Sequence, residues 1–537
     1  MQDNLGVEIF AAERVVTMTG DDANAIAVAN GRIVATGRLD DLADQFSSAV
    51  HTRWGKSVII PGLNDAHMHL VQAAEDLLHL DLSYRAVQSL DDIKRKIREQ
   101  AEKTPLGGWV RASGYDDGKM TGPTLSRLDL DEAAPEHKVL VRHVAGHWGV
   151  CNSNALRAGG VLEDASEPVG GGYGRDAAGH LNGVLYEQAL FDLAYPQVAH
   201  VAESVIPPTP MEEKLVGLQR AVDMFHAAGL TSIGDALVGP DDVALLAEAR
   251  RRGILSLRVN MLITAEHYDS LPDFESLDEV GDEWLKIGGV KTFVDGAIGG
   301  RTCLLEEPFE KAEDHGIQSR TTEQLRETIR RAQEDGVQLG VHANGDRAIR
   351  MLLDLLEEAE RELPRPSLHH RIEHCTVVTE DIVRRIKRLG AIVAPFGSYV
   401  NYHGSQLLDW YGAQRLERMF AHRWLLDAGI CVAGSSDYSC GPYEPLLGLQ
   451  SCVTRQGWDG PVLGENQRIT QEEALSCYTV NSARASGEGA YKGRLAPGYL
   501  ADFVVLADNP LTSDPAQLGS IPVEATYVGG RRVWAKD

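Results

Sequence analysis

Apolar positions along this chain follow two patterns. Near both ends they form short runs broken by turn residues: VEIFAAERVVTM, AIAVANGRIVATG and HTRWGKSVII at the start, ADFVVLAD and VEATYVGGRRVWAKD at the finish. NGR between two apolar runs is a hairpin signal, and Gly529-Gly530 marks a second turn. Two β-rich ends around a long middle predict one small β-sandwich built from both termini, residues 1–58 together with 486–537.

The middle, 59–485, alternates apolar runs with amphipathic stretches such as TEQLRETIRRAQEDG and TEDIVRRIKRLG. Eight runs read as strands: VIIPGLNDAH, LTSIGDA, LRVNMLI, IGGVKTFVDG, VQLGVHANGD, HHRIEHC, AIVAPFGS and ICVAGSSD. Eight strands alternating with helices predict an α/β fold of the (β/α)8 TIM-barrel type. A doubly wound sheet is the alternative, and regular spacing favours closure. The first two strands are separated by a long gap, about 75–220, with helices of its own and the glycine-rich EPVGGGYGRDAAGHLNG. It reads as an inserted cap between strands 1 and 2.

Composition narrows the partners. The chain has 537 residues, 43% of them hydrophobic, enough for a large core. Its 52 basic and 78 acidic residues leave a formal charge of −26, which disfavours nucleic acid and anionic lipid. No apolar run is long enough to span a membrane, and the acidic start MQDNLGVEIF does not read as a secretory signal. Seven cysteines with no Cys-x-x-Cys indicate neither a disulfide framework nor a thiolate zinc site, and a reducing cytoplasm fits best.

Chemistry concentrates at the predicted strand ends. In PGLNDAHMHL, His67 and His69 lie two apart, so a strand projects both to one face, where they can ligate one ion. Later strands end in Lys291, His342, His374 and Asp437, and the C-terminal strand ends are where such barrels carry their catalytic groups. The chain uses only 13 lysines, yet one sits inside GVKTFVD between apolar neighbours. An unpaired ammonium buried there is costly, so Lys291 either snorkels, pairs with Asp295, or is carboxylated by CO₂ into an anionic bridge between two divalent ions. The histidines on later strands favour the carbamate. Singly, His342 and His374 read as core histidines and Asp437 as a cap; at four strand ends together, a metal centre is the better reading.

The order His-x-His, Lys, His, His, Asp resembles the binuclear subtype of the amidohydrolase superfamily. The motifs PGLNDAHMH, VKTFVDGAIGGRT, HANGD, HRIEHC and GSSD resemble its amidohydrolase-3 branch, which contains N-substituted formamide deformylase-like hydrolases, and GRLAPGYLADFVVLADNPL resembles the family's C-terminal return to the β-sandwich. The resemblance implies that His67, His69 and Asp437 hold one metal, that His342 and His374 hold the other, and that carboxylated Lys291 bridges them. Zinc is the default ion for imidazole and carboxylate ligands. The implied reaction is hydrolysis of an amide, N-formyl or cyclic amide C–N bond by a metal-bridged hydroxide, with Asp437 shuttling the proton. Ester or lactone hydrolysis at the same centre and a non-catalytic scaffold are the rivals. A small-molecule substrate and a homodimer are the expected partners. His147, Arg301 and Asp295 are the candidate substrate contacts, against readings as a packed histidine and a loop ion pair. Trp109, Tyr115, Trp148 and Tyr173 are expected to line an apolar pocket, Asn344 and Asp346 to fix the HANGD turn, and Glu187 to be a solvated helix charge.

Overall fold

The apolar runs of the middle segment become parallel strands buried on both faces, which is why they read as continuous rather than alternating. The computed structural model describes residues 6–201 and 204–536; the first five residues and the last of the predicted terminal domain, and two of the cap, lie outside. In chain order the parallel strands are β1 (Leu63–Met68), β2 (Leu230–Val238), β3 (Arg258–Thr264), β4 (Leu285–Phe293), β5 (Leu339–Ala343), β6 (Arg371–His374) and β7 (Ile392–Ala394). Each pairs with its neighbours in sequence order, from β1 at one edge to β7 at the other.

The eighth run, 430–437, closes the ring without forming a continuous ladder. It bridges β7 and the residues after it through Val393–Val432 and Phe396–Ser435. On the other side the Ala66 N–H donates to the Gly434 carbonyl and the Asp437 N–H to the His67 carbonyl, each at 2.9 Å. Between these bonds the buried Asp65 carboxylate accepts the Ser436 N–H at 3.1 Å, taking a donor that a ladder would have used. The result is the predicted barrel, sealed partly by a side chain.

The first predicted strand is two strands. Val58–Pro61 pairs with Phe503–Leu506 in the terminal sheet, and only Leu63–Met68 belongs to the barrel. Gly62 makes the transfer, because a Cβ there would come within 2.2 Å of Thr231 Oγ1. The terminal sheet has eight strands drawn from Glu8–Pro61 and Phe503–Ala535. Phe10, Phe503 and Tyr527 pack their rings together on one face, and Ile9, Ala25 and Leu42 pack on the other.

The insertion departs most from expectation. It carries a six-stranded mixed sheet, running from Leu80–Asp81 through Trp109–Tyr115, Lys138–His143, Trp148–Cys151 and Leu181–Glu187 to Gly171–Arg175. Tyr115 and Trp148 are buried in its own core, and Trp109 and Tyr173 pack at a second cluster, so these aromatics build the insertion rather than line a pocket. The helix Met211–Ala227, which runs across the predicted end of the cap near 220, packs on Leu70–Asp76 so closely that a side chain on Gly217 would strike the Ala74 carbonyl.

Arg258 of β3 and Asp502, which precedes the strand Phe503–Leu506, join barrel to terminal sheet with a buried two-pronged ion pair at 2.6 and 2.9 Å. Removing one partner strands the other charge, a loss of about 3 kcal/mol. Asp502→Ala is therefore expected to lower the thermal unfolding midpoint by several degrees. Arg258→Leu combined with Asp502→Leu should recover most of that loss in the same melt.

Candidate metal centre

The end of β1 delivers two histidines to one face. His67 is fully buried, and its Nδ1 hydrogen-bonds the Glu373 carboxylate on β6. Arg371, two residues earlier on the same face of β6, holds Glu373 at 2.8 and 2.9 Å. A carboxylate only accepts, so Nδ1 carries the proton and Nε2 the lone pair. Nε2 is buried with no hydrogen-bond partner among the described residues, and it faces Asp437 Oδ1 at 3.3 Å. A lone pair opposed to a carboxylate oxygen is stable only with a proton or cation between them. His69 Nε2 lies 3.0 Å from the same oxygen, and the three ligand atoms fall within 4.8 Å of one another.

His374 joins this group to His342. Its ring centre is 4.6 Å from those of both His67 and His342, and its Nδ1 is buried without a partner among the described residues. His342 Nε2 donates to the Gly296 carbonyl at 3.0 Å, which leaves Nδ1 as its lone pair. Burial holds His69, His342 and His374 below the usual imidazole range, as neutral ligands require. Burial pushes the other way on Asp437, but the imidazoles of His374, His67 and His69 around it outweigh burial and keep this carboxyl well below its ordinary value. His374, Cys375 and Asp437 adopt φ of 70°, 46° and 54°, a concentration of left-handed backbone at the strand ends that carry two of these ligand candidates.

Lys291, on β4, is buried with its ammonium 4.7 Å from the Phe293 ring centre. Burial pulls its pKa down to about 8, partly countered by Glu373 and Asp437. The six predicted ligands thus come together at one end of the barrel.

The predicted substrate contacts divide. His147 enters the site: its ring centre is 5.0 Å from that of His342, and it lines a small pocket with His69, Phe191, Phe293 and Cys440. Asp295 does not turn to substrate or to Lys291. Its two oxygens accept the N–H groups of Leu304, Asn344 and Gly345 at 2.8–2.9 Å, clamping the loops after β4 and β5. Burial pushes its carboxyl up to about 7. Arg301 points outward, part-exposed, to Asp117 of the insertion at 3.2 Å, so it ties cap to barrel instead of lining the cavity. Asn344 fixes its loop as expected, donating to the Gly296 carbonyl at 3.1 Å, and Asp346 accepts the Glu306 N–H. Glu187 is a correction: it is fully buried and hydrogen-bonded to His147, not solvated.

Glu373 and Asp65 were not picked out from sequence. Their signal was present, since each is an acid inside a predicted strand, next to or near a predicted ligand. Beside the centre lies a cavity of about 450 Å³ lined by Tyr84, Tyr402, Tyr443, His79 and Arg142, which shares Gly146, Tyr195 and Ser439 with the small pocket.

Residues 55–534 match the model of the amidohydrolase family. The chain belongs to that family. This amidohydrolase is 31% identical over 527 residues to YtcJ of Bacillus subtilis (strain 168), covering 96% of this chain and 97% of that one. It is 30% identical over 543 residues to the N-substituted formamide deformylase of Arthrobacter pascens, with 97% of each chain covered. Its fold matches the crystal structure of an uncharacterized metal-dependent hydrolase from Pyrococcus horikoshii OT3 with a TM-score of 0.74 at 21% identity, over 95% of this chain and 99% of that one.

The clamp is directly testable. Asp295→Ala leaves three N–H groups of the amidohydrolase's site loops without an acceptor, so amide exchange in peptides spanning 302–306 and 342–346 should speed by about tenfold or more. Cap peptides should keep their rate. Hydrogen exchange followed by mass spectrometry reads both.

Proposed function

We propose that this amidohydrolase is a binuclear metal-dependent enzyme that cleaves an amide, N-formyl or cyclic amide C–N bond of a small molecule. The observation that carries the reading is the His67 Nε2 lone pair facing Asp437 Oδ1 at 3.3 Å with no hydrogen-bond partner among the described residues. That opposition fits a cation held by His67, His69 and Asp437. His342 and His374 would hold a second ion, with Lys291 as its carbamate supplying an anionic ligand. Lys291 suits carboxylation because CO₂ reacts only with the neutral amine, and burial favours that form. Imidazole and carboxylate ligands favour zinc.

When bound, the ions would acidify water and polarise the substrate carbonyl. The protein supplies the remainder. Asp437, beside His67 and hydrogen-bonded to His69, would take a proton and pass it to the leaving nitrogen, which an amine leaving group needs more than an alkoxide does. His147 reaches the same space as the substrate contact. The neighbouring cavity mixes tyrosines with Arg85 and Arg142, but Asp76, Asp81 and Glu444 line it too, so its acids outnumber its arginines and disfavour a highly charged anion. Neutral or singly charged N-substituted amides suit it. The name of the Arthrobacter relative supports the N-formyl class. Seven cysteines without a disulfide suit a cytoplasmic enzyme, and no helix among the described residues is long and apolar enough to cross a membrane.

Protein purified without chelators should carry close to two equivalents of divalent metal by elemental analysis, and Lys291→Ala should lose metal and activity together. Short carboxylic acids should restore part of the activity by filling the vacated space. A consistent single equivalent, or a fully active Lys291→Ala, contradicts the binuclear reading. Asp437→Asn should keep the fold and at least one metal while amide turnover falls by about 100-fold or more. In a panel of N-formyl and other N-substituted amides, phosphotriesters and nucleobases, the amides should be turned over fastest; inert amides beside active phosphotriesters or nucleobases would overturn the substrate class.

A further inference from the structure

We propose that the insertion supplies a buried His147–Glu187 pair that holds His147 Nε2 against the reacting amide group of the substrate, with Glu187 as its positioning residue. This rests on the hydrolase reading above and assigns a role to Glu187. His147 immediately precedes the strand Trp148–Cys151, and Glu187 ends the strand Leu181–Glu187. These strands are antiparallel neighbours, with Trp148 opposite Tyr186. The Glu187 N–H donates to the His147 carbonyl at 2.8 Å, and His147 Nδ1 lies 2.7 Å from Glu187 Oε2. The backbone pairing of these two strands therefore fixes both members before their side chains meet. With Nδ1 given to the carboxylate, Nε2 is the nitrogen left to face the pocket shared with His69, Phe293 and Cys440.

Three features indicate that the pair is more than a structural tie. Glu187 is fully buried, and its second oxygen has no hydrogen-bond partner among the described residues, a costly state for a residue that merely braces a strand pair. Its backbone takes φ 48° and ψ −122°, a region non-glycine residues avoid and one that concentrates at functional sites. Glu187 also fits only because Gly296 lacks a side chain: a Cβ there would lie 2.2 Å from Glu187 Oε1. The carbonyl of that same glycine accepts the His342 Nε2 proton. The loop after β4 thus sets His342 from one side and admits Glu187 on the other, so the cap-borne pair is registered to the metal centre through a single residue.

The test compares His147→Ala, Glu187→Ala and Glu187→Gln in metal-loaded enzyme. Loss of a group that contacts the reacting atoms should lower kcat by about 100-fold in His147→Ala, and loss of its orientation should lower it by at least about tenfold in Glu187→Ala. KM should stay within about threefold and metal content unchanged, because neither residue is a ligand. Glu187→Gln should recover most of the loss, since its amide oxygen accepts the same Nδ1 proton. Wild-type kcat in Glu187→Ala, no recovery in Glu187→Gln, or a fall in metal content matching the fall in activity would each overturn the proposal. Proton NMR reads the pair without any substrate. A far-downfield imidazole N–H line should be present in wild type and Glu187→Gln and absent from both alanine variants. Absence of a line that depends on both residues overturns the pair itself, whereas inert amides with the line intact count against the proposed reaction.

Discussion

The constraint behind this structure is that four imidazoles, an amine and two carboxylates are buried within reach of one another at the mouth of one barrel. In water their lone pairs and charges would be satisfied by solvent. Here each nitrogen must be assigned a proton or left facing a cation, and the assignment is made by neighbours on other strands. Glu373, braced by Arg371, fixes the tautomer of His67. The Gly296 carbonyl fixes that of His342. With those two settled, Asp437 is left opposite two imidazoles and the centre has net room for positive charge.

The surrounding fold serves that arrangement. Asp65 takes the Ser436 N–H and so brings the closing segment, with Asp437 at its end, against β1. Asp295 gathers the loops after β4 and β5 by three backbone donors, keeping Gly296 where it can hold His342. Both are buried acids whose pKa burial raises to about 7, and each is satisfied by N–H groups instead of counter-ions. Over this base the insertion is tied by Arg301 to Asp117 and by Tyr402 to Asp116, so the strand pair that carries His147 and Glu187 arrives at a set position.

Much of this was legible because parallel barrel strands are buried on both faces and appear as unbroken apolar runs, and because a histidine, lysine or aspartate ending such a run is conspicuous. His67, His69, Lys291, His342, His374 and Asp437 were found that way. The insertion was harder. Its strands carry glycine and polar residues on one side, as GGYGR does, and lose the run signal. Glu187 in GVLYEQA reads as helix start because nothing in the letters announces φ 48°. Asp295 and Arg301 were read as substrate contacts from nearness to Lys291 in sequence. Beyond a strand end the chain turns, however, and adjacency does not give direction: one points back into the loops and the other out to the cap. Glu373 and Asp65 show the converse, an acid inside a barrel strand beside a predicted ligand being a sign of a supporting partner.

The central claim is that the opposed lone pairs at the barrel mouth are a site for two ions joined through Lys291. Crystals grown with Zn²⁺ and bicarbonate, measured on both sides of the zinc absorption edge, test it most directly. Two anomalous peaks are expected, one against His67, His69 and Asp437 and one against His342 and His374, with carbamate density on Lys291 between them. A single peak with an unmodified Lys291, in crystals of fully active enzyme, would contradict it.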